Sequence, residues 1–180
     1  MALWQGFAIS ALVLAVLAVL SSAHPTHYPE VDAAVWRERV KSGEGMPPFQ
    51  SYHIHVLFVS NQNDSIAEAL SFRKTFMEHF KLTDDHPCNG TRHQGRLCMF
   101  SFDTESGTDD SPFITSEWGM FLPVEHFQTY VPWTMQNRGN NIVFVHPNSG
   151  MEKEDHVHWA VWQGAIWPLR PSALCTYCDN

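Results

Sequence analysis

Residues 52–59 read YHIHVLFV, and their side chains change character at every second position. The even-numbered positions are apolar or aromatic, whereas the odd-numbered positions carry His53 and His55 followed by two aliphatic residues. Because successive side chains of a β-strand point to opposite faces, this period of two predicts a strand with both histidines on the same face. The stretch therefore offers one face to a hydrophobic core and the other to a candidate site.

A helical pattern follows this strand. Apolar residues recur at helical spacing from Ile66 onward, and Asp64 or Ser65 is predicted to cap a helix that runs to about Phe80. The apolar stripe of this helix is broad, which predicts that the helix covers a sheet.

The rest of the chain supplies further strands and one more helix. Residues 98–103 are predicted to form a strand, and residues 104–111 a polar turn. A second helix is predicted from Pro123 to about Arg138, and Pro132 inside it should kink or divide it. Residues 141–146 have the strongly apolar composition of another strand.

Strand, helix, a strand pair, helix and strand follow one another in the predicted order βαββαβ, with a short terminal element at residues 159–167. This order predicts an α+β ferredoxin-like sandwich, in which two helices cover one face of an antiparallel sheet and the other face stays free for a site or a partner. The first and last strands are neighbours in this topology, so His53 should lie beside His146. His156 and His158 follow the same strand end and could bend over the site.

The N-terminal segment has the composition of a secretory leader. Residues 7–20 are almost entirely apolar, which is too short a stretch to span a bilayer comfortably and suits a signal-peptide core. No Lys or Arg precedes this stretch, so a retained membrane anchor is the alternative. We expect residues 1–23 to be a signal peptide and the mature protein to be secreted. Asn63 and Asn89 begin N-glycosylation sequons, which agree with export.

The mature chain divides into three predicted parts. Residues 24–48 are rich in proline and are taken as an extension with a short helix near residues 31–40. Residues 49–169 form the predicted domain, which has a normal size for a single core. Residues 170–180 form a tail that carries two cysteines.

Charge excludes two classes of partner. The formal net charge is -8, and the chain contains no run of Lys or Arg. Nucleic-acid surfaces and anionic membranes both attract such basic patches. We therefore expect no nucleic-acid partner, and no membrane partner once the leader is removed.

Cysteines in an exported chain are expected to form disulfides. The chain has 4 cysteines, which allow three pairings that sequence alone cannot separate. We favour Cys88 with Cys98, and Cys175 with Cys178. A zinc site built from the thiols is the alternative.

Histidine is unusually frequent. There are 11 histidines, as many as Lys and Arg together, and several fall in close groups. Imidazole binds divalent transition metals and exchanges protons near neutral pH. The groups therefore predict a metal site with acid/base residues around it, and the alternative is that they lie on solvated strand faces.

Five short motifs follow one another along the chain, and their order is more specific than any one of them alone. They are YHIHVLF at 52–58, VPWTMQNRG at 131–139, VHPNSG at 145–150, DH at 155–156 and WQG at 162–164. In that order, the stretch from Phe49 to Leu169 resembles the DOPA 4,5-dioxygenase family. The resemblance implies a small ferredoxin-like enzyme, often a homodimer, that uses Fe²⁺ and dioxygen to open the ring of a small-molecule catechol such as DOPA beside its two hydroxyls.

Two positions depart from the family pattern. Residues 90–94 keep a histidine, His93, but lack both of the family's prolines. Trp159 stands where the family's last histidine is expected, with His158 one position earlier. Two functions therefore compete: a secreted extradiol dioxygenase, and a secreted, catalytically silent relative that binds a metal or a ligand or serves as an extracellular matrix component.

Ring opening of a catechol needs a metal with several exchangeable positions, because both ring oxygens and dioxygen must reach it. A small set of imidazole ligands on one face of a sheet meets this need. We assign His53, His55 and His146 as the metal ligands, because they can share the free face.

Other residues are assigned to proton transfer and substrate binding. His93, His156 and His158 form the predicted acid/base group, since imidazoles titrate near neutral pH. Arg138 could bind a substrate carboxylate through its forked donors, and Trp133 could line an aromatic pocket. The alternatives are that Arg138 complements a helix dipole and that Trp133 packs in the core.

Overall fold

The computed structural model describes residues 33–45, 49, 51–83, 87–88, 96–100 and 111–174. Within these ranges the helices are α1 (Ala33–Ser42), α2 (Asn63–Phe80), α3 (Phe127–Asn137) and α4 (Glu152–Val157). The strands are β1 (Ser51–Phe58), β2 (Cys98–Met99), β3 (Ser116–Pro123), β4 (Ile142–Pro147) and β5 (Val161–Gln163). Short 3₁₀ turns occupy Val124–His126 and Pro171–Ala173.

The strands form one antiparallel sheet in the order β2-β3-β1-β4-β5. The first four strands in this order have the ferredoxin-like topology, so the predicted fold class is confirmed. β5 extends the sheet beyond β4 and lies inside the terminal element predicted at residues 159–167. In the register of β1 and β4, His53 lies directly opposite His146.

The helix-covered face of the sheet carries the main hydrophobic core. Ile54, Val56 and Phe58 point to this face, as the alternation along β1 predicts. They share the core with the buried side chains of Ala69, Phe72 and Phe76 from α2 and Val131 from α3. Each such large side chain contributes about 1.5–3 kcal/mol on burial, so this core is the main source of stability.

The opposite face of the sheet is also covered, so the prediction of a free face was wrong. Leu57, Phe113, Ile142 and Phe144 are buried there and pack against Ala160, Trp162, Trp167 and Leu169. The backbone N–H of Arg170 donates a 2.7 Å hydrogen bond to the carbonyl of Pro112, which joins the two covering segments. The βαββαβ pattern predicts only the strands and helices of the sandwich. The residues that cover this second face, among them Phe113, Trp162 and Trp167, lie outside those elements.

The start of α2 differs from the predicted cap. The N-cap position is Gln62, and no side chain makes a capping hydrogen bond there. The hydroxyl of Ser65 instead accepts a 2.9 Å hydrogen bond from the backbone N–H of Val59. Ser65 therefore stabilises the turn that leaves β1, and the cap predicted at Asp64 or Ser65 is not formed.

The second predicted helix also starts later than expected. Pro123 is the last residue of β3, and a 3₁₀ turn precedes α3. α3 continues through Pro132 without a division. Proline has no N–H, so one backbone hydrogen bond, to the carbonyl of Gln128, is missing. The residues before and after it, Val131 and Trp133, pack in the core and keep the helix continuous. In the third predicted element, β2 itself ends at Met99, the backbone N–H of Phe100 still donates a 2.9 Å hydrogen bond to the carbonyl of Gly119 on β3, and residues 101–103 lie outside the described residues.

One of the two predicted disulfides is confirmed, because Cys88 and Cys98 are bonded with their Cα atoms 4.9 Å apart. The pairing of Cys175 with Cys178, the leader at residues 1–23 and the sequon asparagine Asn89 lie outside the described residues. Among the helices of the described ranges, none has both the length and the apolar character needed to span a membrane.

Candidate metal centre

Three histidines from two neighbouring strands meet on the second face of the sheet. His53 and His55 are two residues apart on β1, and the antiparallel register places His146 of β4 beside them. One ring nitrogen of each residue lies within 4.8 Å of the other two. No more than 2% of any of the three residues is exposed. The three side chains therefore converge as the sequence predicts, but in a buried setting and not on a solvated strand face.

Hydrogen bonds determine which nitrogens face one another. His146 Nδ1 donates a 2.8 Å hydrogen bond to the carbonyl of Pro147, and His55 Nδ1 pairs with the carboxylate of Glu117. The Nε2 atoms of His55 and His146 lie 3.2 Å apart. In a neutral ring whose Nδ1 donates, Nε2 carries a lone pair. At this distance the two Nε2 atoms share either a hydrogen-bonding proton or a metal ion.

This arrangement fits a transition-metal ion. Imidazole nitrogens bound to one ion at about 2.0–2.1 Å lie roughly 3 Å apart, which is close to the separation of the two Nε2 atoms. Metal ligation also requires neutral imidazoles. Burial lowers the pKa of His53 well below its ordinary value, and the nearby charges of His55 and His156 lower it further. The buried group could therefore hold a metal, and imidazole donors suit zinc, copper, iron and nickel.

A fourth imidazole, that of His156 on α4, lies against this group. Its ring centroid is 3.8 Å from that of His146. Its Nδ1 donates a 2.8 Å hydrogen bond to the carbonyl of Glu152, so its Nε2 carries the lone pair. Burial lowers the pKa of His156 to about 3, the Glu152 hydrogen bond opposes this shift, and the charge of His55 adds to it. His156 is therefore a neutral proton acceptor next to the candidate metal ligands.

The adjacent carboxyl group, that of Asp155, fixes the position of α4. Its two oxygens accept hydrogen bonds from the backbone N–H and the hydroxyl of Ser149, at 3.0 and 2.7 Å. Burial raises the pKa of Asp155 to about 7; the Ser149 hydrogen bonds oppose this shift, and the charges of Glu152 and Glu154 add to it. Asp155 thus closes the loop that leads into α4, the helix that carries His156.

Aromatic rings enclose the histidines. Phe113 lies over His55 with ring centroids 4.7 Å apart, and it is 1% exposed. Phe100 and Phe121 stand edge-on to His53, at 5.2 and 5.8 Å. These rings keep bulk water from the histidines, which strengthens electrostatic interactions inside the group.

Trp133 and Arg138 lie away from the histidines, so the structure does not bring them together with the candidate metal ligands, and their substrate-binding role stays a prediction. Trp133 stacks on Phe72 with ring centroids 5.9 Å apart, in the core on the helix-covered face. Arg138 follows α3 and donates a 2.8 Å hydrogen bond to the carbonyl of Asn141, beside the end of β4 that is farther from His146. Core packing and backbone bonding at the helix end explain these two residues.

The predicted acid/base group is only partly assembled. His156 joins the buried histidines, whereas His158 is exposed at the C-terminal end of α4. His156 and His158 are two positions apart, which along a helix rotates a side chain by about 200°, so the two histidines cannot face the same group. His93 lies outside the described residues, and its role stays a prediction.

Glu117 and Phe113 are among the residues of the site that were not predicted from sequence. Glu117 pairs with His55, and Phe113 covers it. The sequence analysis did not predict where β3 begins and ends. The alternation of side chains along β3 therefore could not be aligned with β1, and nothing placed Glu117 on the same face as His55. Phe113 lies in a segment without periodicity, where no pattern indicates burial.

Known proteins resemble this chain in sequence and in fold. The profile of the Dopa 4,5-dioxygenase family matches residues 52–173, a range that contains all four histidines of the site. An uncharacterized 21.2 kDa protein from Botryotinia fuckeliana is 37% identical over 65 residues, which cover 32% of this chain and 35% of that protein's length. The crystal structure of a candidate dioxygenase from Nostoc punctiforme PCC 73102 has a TM-score of 0.53 and 20% identity, covering 69% of this chain and 90% of that chain. The last comparison shows a shared fold.

Proposed function

The chain belongs to the Dopa 4,5-dioxygenase family, and from that premise we propose that it is a non-haem iron extradiol dioxygenase that opens the ring of a catechol such as DOPA. Family membership supports a dioxygenase in general, and the proposal adds the metal, the substrate class and cleavage beside the two hydroxyls. The observation that carries it is the buried group formed by His53, His55 and His146.

These three histidines would hold the Fe²⁺. When bound, the ion supplies a Lewis acid with exchangeable positions for the catechol oxygens and for dioxygen. Three protein ligands suit this task because they leave positions open. The Nδ1 hydrogen bonds of His55 and His146 keep the Nε2 lone pairs of both rings directed into the group.

His156 would accept the proton that a catechol hydroxyl loses on binding. Its Nε2 carries the lone pair, because its Nδ1 donates to Glu152. A catecholate anion beside this ring would raise its proton affinity by charge attraction. The same ring can later return the proton as the ring opens, which is a general acid/base role. His93 stays a predicted second member of this group.

Phe113 and Phe144 would take the place of Trp133 as the aromatic lining. Phe144 stacks on His156 with ring centroids 5.8 Å apart, and Phe113 packs on Phe144 at 5.5 Å. Apolar rings suit the face of a catechol and exclude water from the reaction. Because Phe113 is buried on His55, this ring would move aside to let a catechol approach that ligand.

Export and assembly are further parts of the proposal. The apolar leader at residues 7–20 supports secretion, and so does the disulfide between Cys88 and Cys98, because disulfides persist in oxidising compartments. The resemblance to often dimeric enzymes favours a homodimer. The net charge of -8 favours a small-molecule substrate over a nucleic-acid partner.

Anaerobic loading of the purified protein with Fe²⁺, followed by addition of DOPA in air, tests the proposal. We expect oxygen uptake and a yellow semialdehyde product, both lost in His146→Ala and both kept in His158→Ala. Fe²⁺ binding with neither signal would refute the enzyme and favour the silent metal-binding relative. Trp159, in place of the expected histidine, is the observation that supports that second function.

A further inference from the structure

β3 brings two residues against the imidazole of His55. In the register of β1 and β3, Gly119 lies directly opposite His55, and Glu117 lies opposite Leu57. Residues two apart on a strand share a face, so Glu117 and Gly119 both face the histidine side. The carboxylate of Glu117 pairs with His55 Nδ1, and the two side chains are 16% and 2% exposed.

Gly119 supplies the space that the imidazole occupies. A Cβ atom at this position would lie 3.0 Å from the carbonyl oxygen of Ile54, 3.1 Å from His55 Nδ1 and 3.3 Å from a ring carbon of Phe100. The carbonyl belongs to the backbone of the paired strand and cannot give way easily. A side chain at this position would therefore crowd the Nδ1 side of the His55 ring, where Glu117 makes its contact.

We propose that Glu117 is a positioning residue of the metal centre, whose carboxylate holds the Nδ1–H of His55 so that Nε2 meets the ion, and that Gly119 makes room for this contact. The inference rests on the proposed metal-dependent function. Metal-binding histidines commonly donate their second N–H to a carboxylate or a carbonyl, and loss of that acceptor costs about 10- to 100-fold in metal affinity. In the same way, the carbonyl of Pro147 accepts the hydrogen bond from Nδ1 of His146.

Glu117 acts through His55 and is not itself a ligand. It contacts Nδ1, whereas Nε2 of the same ring faces His146 at 3.2 Å. The two nitrogens of an imidazole point in divergent directions, so the carboxylate lies beyond the ring as seen from the ion. In the described ranges, the group of mutually close donor atoms comprises the three histidines without Glu117.

Binding of Co²⁺ alone to the purified full-length protein tests the inference without any turnover. Glu117→Leu removes the acceptor and should weaken Co²⁺ binding by about 10- to 100-fold. Glu117→Gln should lose less, because its amide oxygen can still accept from Nδ1–H. His55→Ala is the reference for a lost ligand and should abolish binding. Glu125→Gln changes an exposed glutamate just after β3 and should bind as the wild type does.

Two further measurements separate positioning from a purely structural role. Nitrogen-15 NMR of the metal-free protein should show the Nδ1–H tautomer of His55 in the wild type and a mixture of tautomers in Glu117→Leu. Gly119→Ala should weaken Co²⁺ binding as Glu117→Leu does, with the fold checked by circular dichroism. If Gly119→Ala does not fold, the Glu117 variants decide the question alone.

Unchanged Co²⁺ affinity in Glu117→Leu would overturn the inference. Loss of Co²⁺ binding in Glu117→Leu that is as complete as in His55→Ala would also overturn it, because that result identifies a direct ligand. A wild-type protein that binds no Co²⁺ would remove the metal centre on which both proposals rest. Weakened Co²⁺ binding in Glu117→Leu, combined with no oxygen uptake from DOPA by the Fe²⁺-loaded wild type, would refute the catechol dioxygenase and support the positioning role.

Discussion

His53 and His146 lie directly opposite each other on β1 and β4, with ring centroids 5.0 Å apart and ring planes at 86°. This contact depends on sheet register, because a slip by one residue would carry every side chain of a strand to the other face. The two strands are also central in the sheet and contribute Ile54 and Val145 to the main core. The forces that hold the core together therefore also fix the geometry of the candidate metal centre.

Removal of either histidine should abolish metal binding. In His53→Ala or His146→Ala, we expect Fe²⁺ affinity to fall by more than about 100-fold, beyond the range of outer-shell changes. The fold should persist, because the core on the helix-covered face is untouched and a typical substitution costs about 0.5–3 kcal/mol. Metal content by mass spectrometry and circular dichroism of the same samples measure both effects.

The matched control for these variants is His158→Ala. His158 belongs to the same chain segment as His156 but is exposed, so its removal should leave Fe²⁺ content unchanged. Wild-type Fe²⁺ content in His146→Ala would remove the ligand assignment.

The neighbourhood of His53 and His146 was predictable from sequence. The alternation over residues 52–59 determines which side chains of β1 share a face. The order of elements predicts the ferredoxin-like topology, which makes β1 and β4 neighbours. Both inferences use only local patterns and general rules of connection, so no knowledge of individual contacts was needed.

Contacts that depend on irregular segments or on an unplaced strand were not predictable. Without bounds for β3, nothing placed Glu117 beside His55. Trp133 and Arg138 have chemically suitable side chains, but α3 directs Trp133 to the other face of the sheet and carries Arg138 toward the far end of β4. Side-chain chemistry alone does not tell which face a helical residue meets.

Replacement of His156 should affect turnover and spare metal binding. In His156→Gln we expect Fe²⁺ content to stay near the wild-type level and kcat for DOPA to fall by about 10²- to 10⁴-fold, the usual contribution of a general acid/base group. Steady-state oxygen uptake, normalised to bound Fe²⁺, measures this. Loss of Fe²⁺ together with activity would instead identify His156 as a ligand.

Replacement of Arg138 should affect stability and spare substrate binding. Its Nη1 donates to the carbonyls of Asn141 and Gly139, at 2.8 and 3.2 Å. We expect Arg138→Ala to lower the free energy of unfolding by about 1–2 kcal/mol and to leave KM for DOPA unchanged. Urea unfolding and oxygen-uptake kinetics test the two parts. A large rise in KM at unchanged stability would restore the substrate-binding role.

Asp155 should make the metal-free protein less stable as pH rises from about 4 to about 7. Burial raises its pKa from 3.8 to about 7 in the folded state, whereas the unfolded chain ionises near the ordinary value. Between these two values the folded state holds a proton that the unfolded state has lost, so stability falls with rising pH. A shift of this size corresponds to about 4 kcal/mol at most.

The comparison of wild type with Asp155→Asn isolates this contribution. Asn resembles the protonated carboxyl group and cannot ionise, so the variant should become more stable relative to the wild type as pH rises through this window. The lowered pKa values of His53 and His156 act in the opposite direction, because the unfolded histidines take up protons below about pH 6.5 and the folded ones do not. Those histidines are present in both proteins, so their effect cancels in the difference. Urea unfolding at several pH values, with a chelator present, measures the difference in free energy of unfolding between the two proteins. If this difference stayed constant from pH 4 to pH 7, Asp155 would be ionised throughout that range and the prediction would be wrong.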